Sequence, residues 1–102
     1  MGTDVEEGKE ARMSEYRPTR VRLFIKPYCG WCVQAMDWLD AHRVRYEVLD
    51  VIRDGQAYEE MVRLSGQSLA PVIEVDGRVL ADFGVRELAA FWGRLGQGGG
   101  ER

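Results

Sequence analysis

The chain has 102 residues, 45% of them apolar and 30% charged, which allows one domain with a real core and leaves no room for two. Fourteen Lys and Arg against 17 Asp and Glu give a net charge of −3, which argues against binding nucleic acid through its phosphates. No apolar stretch approaches the ~18 residues of a membrane helix, so no membrane partner is expected.

Residues 1–18 read as a flexible polar leader, without the basic start and apolar middle of a secretory signal. Val21, Leu23, Phe24 and Ile25 then form a short β-favouring run closed by Lys26-Pro27, the first strand. A helix follows Cys29-Gly30, with Cys32, Ala35, Met36 and Leu39 on one face at i, i+3, i+4 and i+7. Tyr46, Val48 and Val51, with Leu49 between, suggest a second strand. A second helix starts at Asp54 or Gly55, turns Tyr58, Met61, Val62 and Ser65 inward, and ends at Gly66.

Pro71-Val72-Ile73-Glu74-Val75 reads as the third strand. Asp76-Gly77 signals a type I′ hairpin turn, whose two central residues need positive φ, and Arg78-Val79-Leu80 returns as the fourth strand. Val85, Leu88, Ala89, Trp92 and Leu95 mark one face of a last helix. Residues 96–102, with four glycines, read as a flexible tail. The folded unit is therefore 19–95, in the order β-α-β-α-β-β-α. This predicts an α/β fold: a mixed four-stranded sheet with helices on both faces.

The chain has two cysteines, Cys29 and Cys32, and one histidine, His42. That is too few for a disulfide framework or for a closed four-ligand zinc site within one chain. A reducing, cytoplasmic location is the simplest expectation. Cys29-Gly30-Trp31-Cys32 sits where the first strand hands over to a helix, a placement that suggests a thioredoxin-like redox pair. Residues three apart lie on one side of a helical turn, so the sulfurs can meet. The positive end of the helix and Lys26, three residues earlier, favour a thiolate at Cys29. Cys32 lies on the apolar stripe and should be more buried. Cys29 is then the nucleophile and Cys32 the resolving thiol. Inert packing of Cys32 and a zinc half-site shared between two chains are the alternatives. His42, late in the helix, reads as a surface residue favouring the dipole.

The loop Leu69-Ala70-Pro71 opens the third strand and should face the cysteine pair. With a cis Ala70-Pro71 bond, the main-chain groups of Ala70 would turn outward to pair with an extended peptide.

From about residue 20 to 95 the chain resembles a glutaredoxin. The carrying segments are Val21 to Cys32, Ser65 to Ile73, Asp76-Gly77, and the start of the last helix from Phe83. The resemblance implies a thioredoxin-like fold and thiol–disulfide exchange, with glutathione as co-substrate and disulfide-containing proteins as partners of a monomer. It implies that Lys26 supports the Cys29 thiolate and the glycine carboxylate of glutathione, and that Tyr28 and Trp31 flank the groove beside Leu69 and Pro71. Ala70 would pair with the glutathione cysteine, and the Phe83 and Gly84 N–H groups would receive the glutamyl carboxylate.

Three departures bear on the substrate. Gly30-Trp31 replaces the usual Pro-Tyr between the cysteines, while Ala81 and Asp82 replace a glycine pair. Asp82 can repel the glutamyl carboxylate or accept its amine. The Phe83 context also resembles small glutaredoxin-like proteins reduced by thioredoxin reductase. A small residue at Gly30 resembles members that hold a [2Fe–2S] cluster between two chains through Cys29 and glutathione. A redox-inactive interaction module that keeps only the fold is the remaining alternative.

Overall fold

The computed structural model describes residues 16–101. Its elements are β1 (Val21–Ile25), α1 (Gly30–Ala41), β2 (Glu47–Asp50), α2 (Gly55–Ser65), β3 (Val72–Val75), β4 (Arg78–Ala81) and α3 (Val85–Glu101). This is the expected order. The four strands lie in the sheet order β2-β1-β3-β4. β1 pairs in parallel with β2 and antiparallel with β3, which in turn pairs antiparallel with β4.

Strand pleating sends alternate side chains to opposite faces. Val21 and Leu23 of β1 and Ile73 and Val75 of β3 face one side. There they pack with Ala35 and Leu39 of α1 and with Leu88, Phe91, Trp92 and Leu95 of α3. Phe24 and Val72 face the other side, against Ala57 and Met61 of α2 and Val51. Arg22 lies two residues before Phe24 and shares its face. It pairs with Glu74 at 2.5 Å and with Glu60 of α2 at 2.9 Å, so the polar part of that face is satisfied as well. A thioredoxin-like α/β sandwich results, with α1 and α3 on one face and α2 on the other.

Local signals explain the boundaries. The Asp54 carboxylate accepts the Gln56 and Ala57 N–H groups and starts α2; Gly66, at φ 72°, ends it in the left-handed region. The inward face of α2 includes Met61 as expected but takes Ala57 rather than Tyr58. Ala57 and Met61 are buried and Leu64 is half-buried, while Tyr58 is 40% exposed. The stripe follows Ala57, Met61 and Leu64 at i, i+4 and i+7, and Tyr58 sits about 100° around the helix from it. Val48 is 46% exposed, because β2 is the sheet's edge and pairs only with β1. The buried residue of that segment, Val51, follows the strand end.

Asp76 and Gly77 have φ of 49° and 90°, as the type I′ turn demands. The Asp76 carboxylate also ties down the chain entering β1. It accepts the Thr19 N–H at 3.0 Å, the Arg20 N–H at 2.8 Å and the Tyr16 hydroxyl at 3.0 Å. The Tyr16 ring packs edge-on against Trp92, with centroids 6.3 Å apart. Tyr16, assigned to the leader by its sequence context, thus belongs to the folded body; residues 1–15 lie outside the described residues. At the other end α3 reaches Glu101, past the expected tail boundary at Gly96, while its packed stripe ends with Leu95.

Partial burial pushes the Asp76 pKa up. The N–H bonds from Arg20 and Thr19 and the Tyr16 hydroxyl outweigh it, so the net shift is down. A depressed folded pKa adds stability above the unfolded value, and that stability disappears as pH falls through the folded one. Asp76→Asn keeps a residue tolerant of positive φ but removes the charge. At about pH 7 we expect it to destabilise the protein by about 1 kcal/mol in urea unfolding, discounted for solvent exposure. The difference should close as the pH falls below the ordinary aspartate value of about 3.9.

Candidate active site

Val72 pairs with Phe24 of β1 on one side and Ala81 of β4 on the other. The end of β1, the start of β3 and the end of β4 therefore meet at one end of the sheet. The segments leaving that end are Lys26 to Cys29, Leu69 to Pro71, and Asp82 to Gly84. The Asp82 N–H donates to the Pro71 carbonyl at 2.8 Å and joins two of them. The Ala70-Pro71 bond is cis, as expected.

Tyr28, at φ 60°, turns the chain out of β1, and its side chain is fully exposed. Cys29 is the N-cap of α1, with extended backbone (φ −105°, ψ 112°), and its Sγ accepts the Cys32 N–H at 3.2 Å. One helical turn therefore brings the two cysteines together, and both are free thiols. Their surroundings differ. Cys29 is half-exposed at the helix mouth, whereas Cys32 is 1% exposed beside Ala35 and Leu39 on the buried side of α1. Burial pushes the Cys32 thiol up to about 12, and the bond to Cys29 adds to this; Lys26 acts in the opposite direction.

Trp31, on the outer side of the same turn, is 61% exposed. Its ring lies over the start of α3. A Cβ on Gly84 would stand 3.0 Å from one ring carbon and 3.2 Å from Glu87 Oε1, so a larger residue there would make the Trp31 ring and the Glu87 side chain give by a few tenths of an ångström. Trp31, Asp82, Phe83, Gly84 and Glu87 line a cleft of about 320 Å³. Asp82 is exposed with φ 53°, while the Phe83 ring turns into the core. The Gly84 N–H, expected to be open to a ligand carboxylate, donates instead to Glu87 Oε1 at 2.9 Å. The N–H groups of Glu87 itself and of Gly84 lower the Glu87 pKa.

The expected site residues thus fall into a cysteine pair and a cleft that shares Trp31, the residue just before Cys32. Lys26, Tyr28, Leu69, Ala70 and Pro71 lie at the same sheet end but outside the cleft lining. Two residues escaped sequence reasoning. Glu87 caps α3, and its only sequence signal is a position three residues after Gly84, the acidic half of a capping box. Gln67 holds the backbone of Leu69 by accepting its N–H at 2.7 Å and donating to its carbonyl at 2.9 Å. His42 stacks on Trp38 at 3.8 Å and its Nδ1 lies 2.8 Å from the Trp38 carbonyl, a structural placement away from the cysteines. Among the described residues no helix is long and apolar enough to cross a membrane.

A model of the glutaredoxin family matches residues 21–80, a span that contains both cysteines, the cis-proline loop and the hairpin. An uncharacterised glutaredoxin-like 8.6 kDa protein in the rubredoxin operon of Clostridium pasteurianum is 31% identical over 68 residues, covering 67% of this chain and 91% of that one. Among solved structures, a thioredoxin-like protein is 27% identical with a TM-score of 0.65, covering 70% of this chain and 97% of its own. A glutaredoxin from Archaeoglobus fulgidus shares the fold at 16% identity and a TM-score of 0.63, covering 76% of this chain and 88% of its own. On the family match, the cysteine pair within it and the shared fold, the chain belongs to the glutaredoxin family.

Proposed function

We propose that the protein is a dithiol thiol–disulfide oxidoreductase that reduces mixed and protein disulfides with glutathione as co-substrate. The observation that carries this reading is the asymmetry of the pair: a half-exposed Cys29 capping α1, and a buried Cys32 one turn later whose thiol is pushed up to about 12.

In the first step the Cys29 thiolate attacks one sulfur of the substrate disulfide. The substrate S–S bond breaks, a Cys29–substrate bond forms, and the other substrate sulfur leaves as a thiolate. Cys32 then gives up its proton to that departing thiolate and attacks Cys29 Sγ. The second substrate sulfur leaves, and the Cys29–Cys32 disulfide holds the oxidising equivalents. Two electrons have moved from the pair to the substrate. Two glutathione thiols restore the dithiol and become glutathione disulfide. Burial suits Cys32 to this order, because a neutral thiol at neutral pH leaves the initial attack to Cys29.

A second reading of the reductant rests on a specific contact. Glu87 already occupies the Gly84 N–H and Asp82 adds a nearby negative charge, a setting that disfavours an anionic thiol. Direct reduction by a flavoprotein such as thioredoxin reductase fits that setting. Parallel assays with glutathione and with thioredoxin reductase separate the two.

Cys29→Ser should abolish all disulfide reduction. Cys32→Ser should lose protein-disulfide reduction by about tenfold or more, because nothing resolves the trapped intermediate, yet retain much removal of glutathione from mixed disulfides. Equal loss of that second activity in both variants would contradict a glutathione-linked mechanism. Protein purified without oxygen should be colourless and monomeric; a brown dimer would replace this reading with a shared [2Fe–2S] cluster.

A further inference from the structure

The end of the sheet opposite the cysteines gathers exposed arginines that the dithiol chemistry does not use. Arg20 enters β1 and Arg45 leads into β2; the register carries them to one level, because Arg22 lies opposite Glu47. Val21 pairs with Val75 and Val75 with Arg78, so Arg78 stands in the same row on β4. The helix α1 runs away from Cys29 and delivers Arg43 to this end, and Arg17 follows the Tyr16 anchored to Asp76. All five are exposed, and none forms an ion pair among the described residues. Burial and the Asp76 bond push the Tyr16 hydroxyl up while Arg78 pulls it the other way, so this cation stands near the point where the chain enters the fold. Of the carboxylates at this end, Asp76 is held by the Thr19 and Arg20 N–H groups and Asp40 accepts the Tyr46 hydroxyl, which leaves Glu47. Guanidinium groups so placed are suited to pairing with carboxylates brought from outside the sheet.

The matching charge is in the same chain. Residues 1–15 carry Asp4, Glu6, Glu7, Glu10 and Glu15 against Lys9 and Arg12, which amounts to the whole net charge of −3, so residues 16–102 balance. That segment joins the fold at Tyr16, beside the arginines. The four strands span about 14 Å at ~4.8 Å per gap. The stretch from Tyr16 back to Glu7 reaches up to about 30 Å, enough to lay its carboxylates across Arg20, Arg45 and Arg78. Tethering gives the segment a high effective concentration at this surface, so several individually weak ion pairs suffice.

We propose that the arginine end of the sheet is a docking surface for an acidic peptide segment, and that its occupant is residues 4–10 of the same chain. The surface lies a strand's length from the cysteines, and docking takes no part in the exchange. Occupied in this way, it is screened from other polyanions.

The test is nuclear magnetic resonance on the reduced, full-length protein, with the heteronuclear NOE of residues 4–10 as the readout. At low salt those residues should give values near those of the folded body, and about 0.5 M salt, which screens exposed charges, should return them to free-chain values. Arg45→Glu with Arg78→Glu should release the segment at low salt. Adding Glu6→Lys, Glu7→Lys and Glu10→Lys to that variant should restore docking, a rescue that a merely structural role for the arginines would not produce. If the charge reversal does not fold, Arg45→Gln with Arg78→Gln takes its place and should release the segment likewise. Free-chain values in the parent at low salt, or no rescue by the reversed pair, would overturn the proposal. Docking that grows with protein concentration would assign the contact to a second copy and overturn the same-chain occupant. Shifts at the Arg45 and Arg78 amides on adding a short DNA duplex, with residues 4–10 still at free-chain values, would assign the surface to nucleic acid and also overturn it.

Discussion

The contact on which the site depends is the bond from the Cys32 N–H to Cys29 Sγ. An N-cap side chain ordinarily offers oxygen to the first free N–H groups of a helix. At α1 a sulfur does this work, so one interaction starts the helix, fixes the reactive side chain and sets its spacing from Cys32. The same turn commits Cys32 to the buried stripe of α1, where desolvation keeps its thiol neutral. Chemical asymmetry between two identical side chains thus follows from their positions on one helical turn.

The sheet supplies the rest of the site through register. Val72 is central: it pairs on both sides and packs beneath α2. Because β1 and β3 are antiparallel, the chain leaves β1 where it enters β3, and the hairpin returns β4 to the same end. Three loops distant in sequence therefore converge without needing long insertions. Two short-range devices hold them: the Asp82 N–H on the Pro71 carbonyl and the Gln67 amide on the Leu69 backbone. At the opposite end of the sheet, Asp76 serves as turn former and as anchor for the strand entering β1.

Much of this was legible in the sequence, for physical reasons. The strands of the sheet's centre are runs of apolar, β-favouring residues, and Asp54, Gly66 and Asp76-Gly77 carry their conformational preferences locally. The cysteine pair was legible because its meaning depends on one helical turn. What escaped depends on tertiary context. On α2 Met61 was read inward as found, but Tyr58 was taken in place of Ala57, because both are apolar enough to face inward and packing against Phe24 and Val72 selects Ala57. Tyr16 looked like leader because its partners, Asp76 and Trp92, lie 60 and 76 residues away. Glu87 escaped because the cleft it faces exists only where Trp31 of α1 meets Gly84 in the folded chain.

The central claim is that the two thiols differ in reactivity because of where α1 places them. The most direct measurement is alkylation of the reduced protein over a range of pH, with the modified residue identified by peptide mass spectrometry. Cys29 should be modified near neutral pH, while Cys32 stays unmodified until the pH approaches its value of about 12. Modification of Cys32 first, or of both at equal rates near neutral pH, would contradict the account.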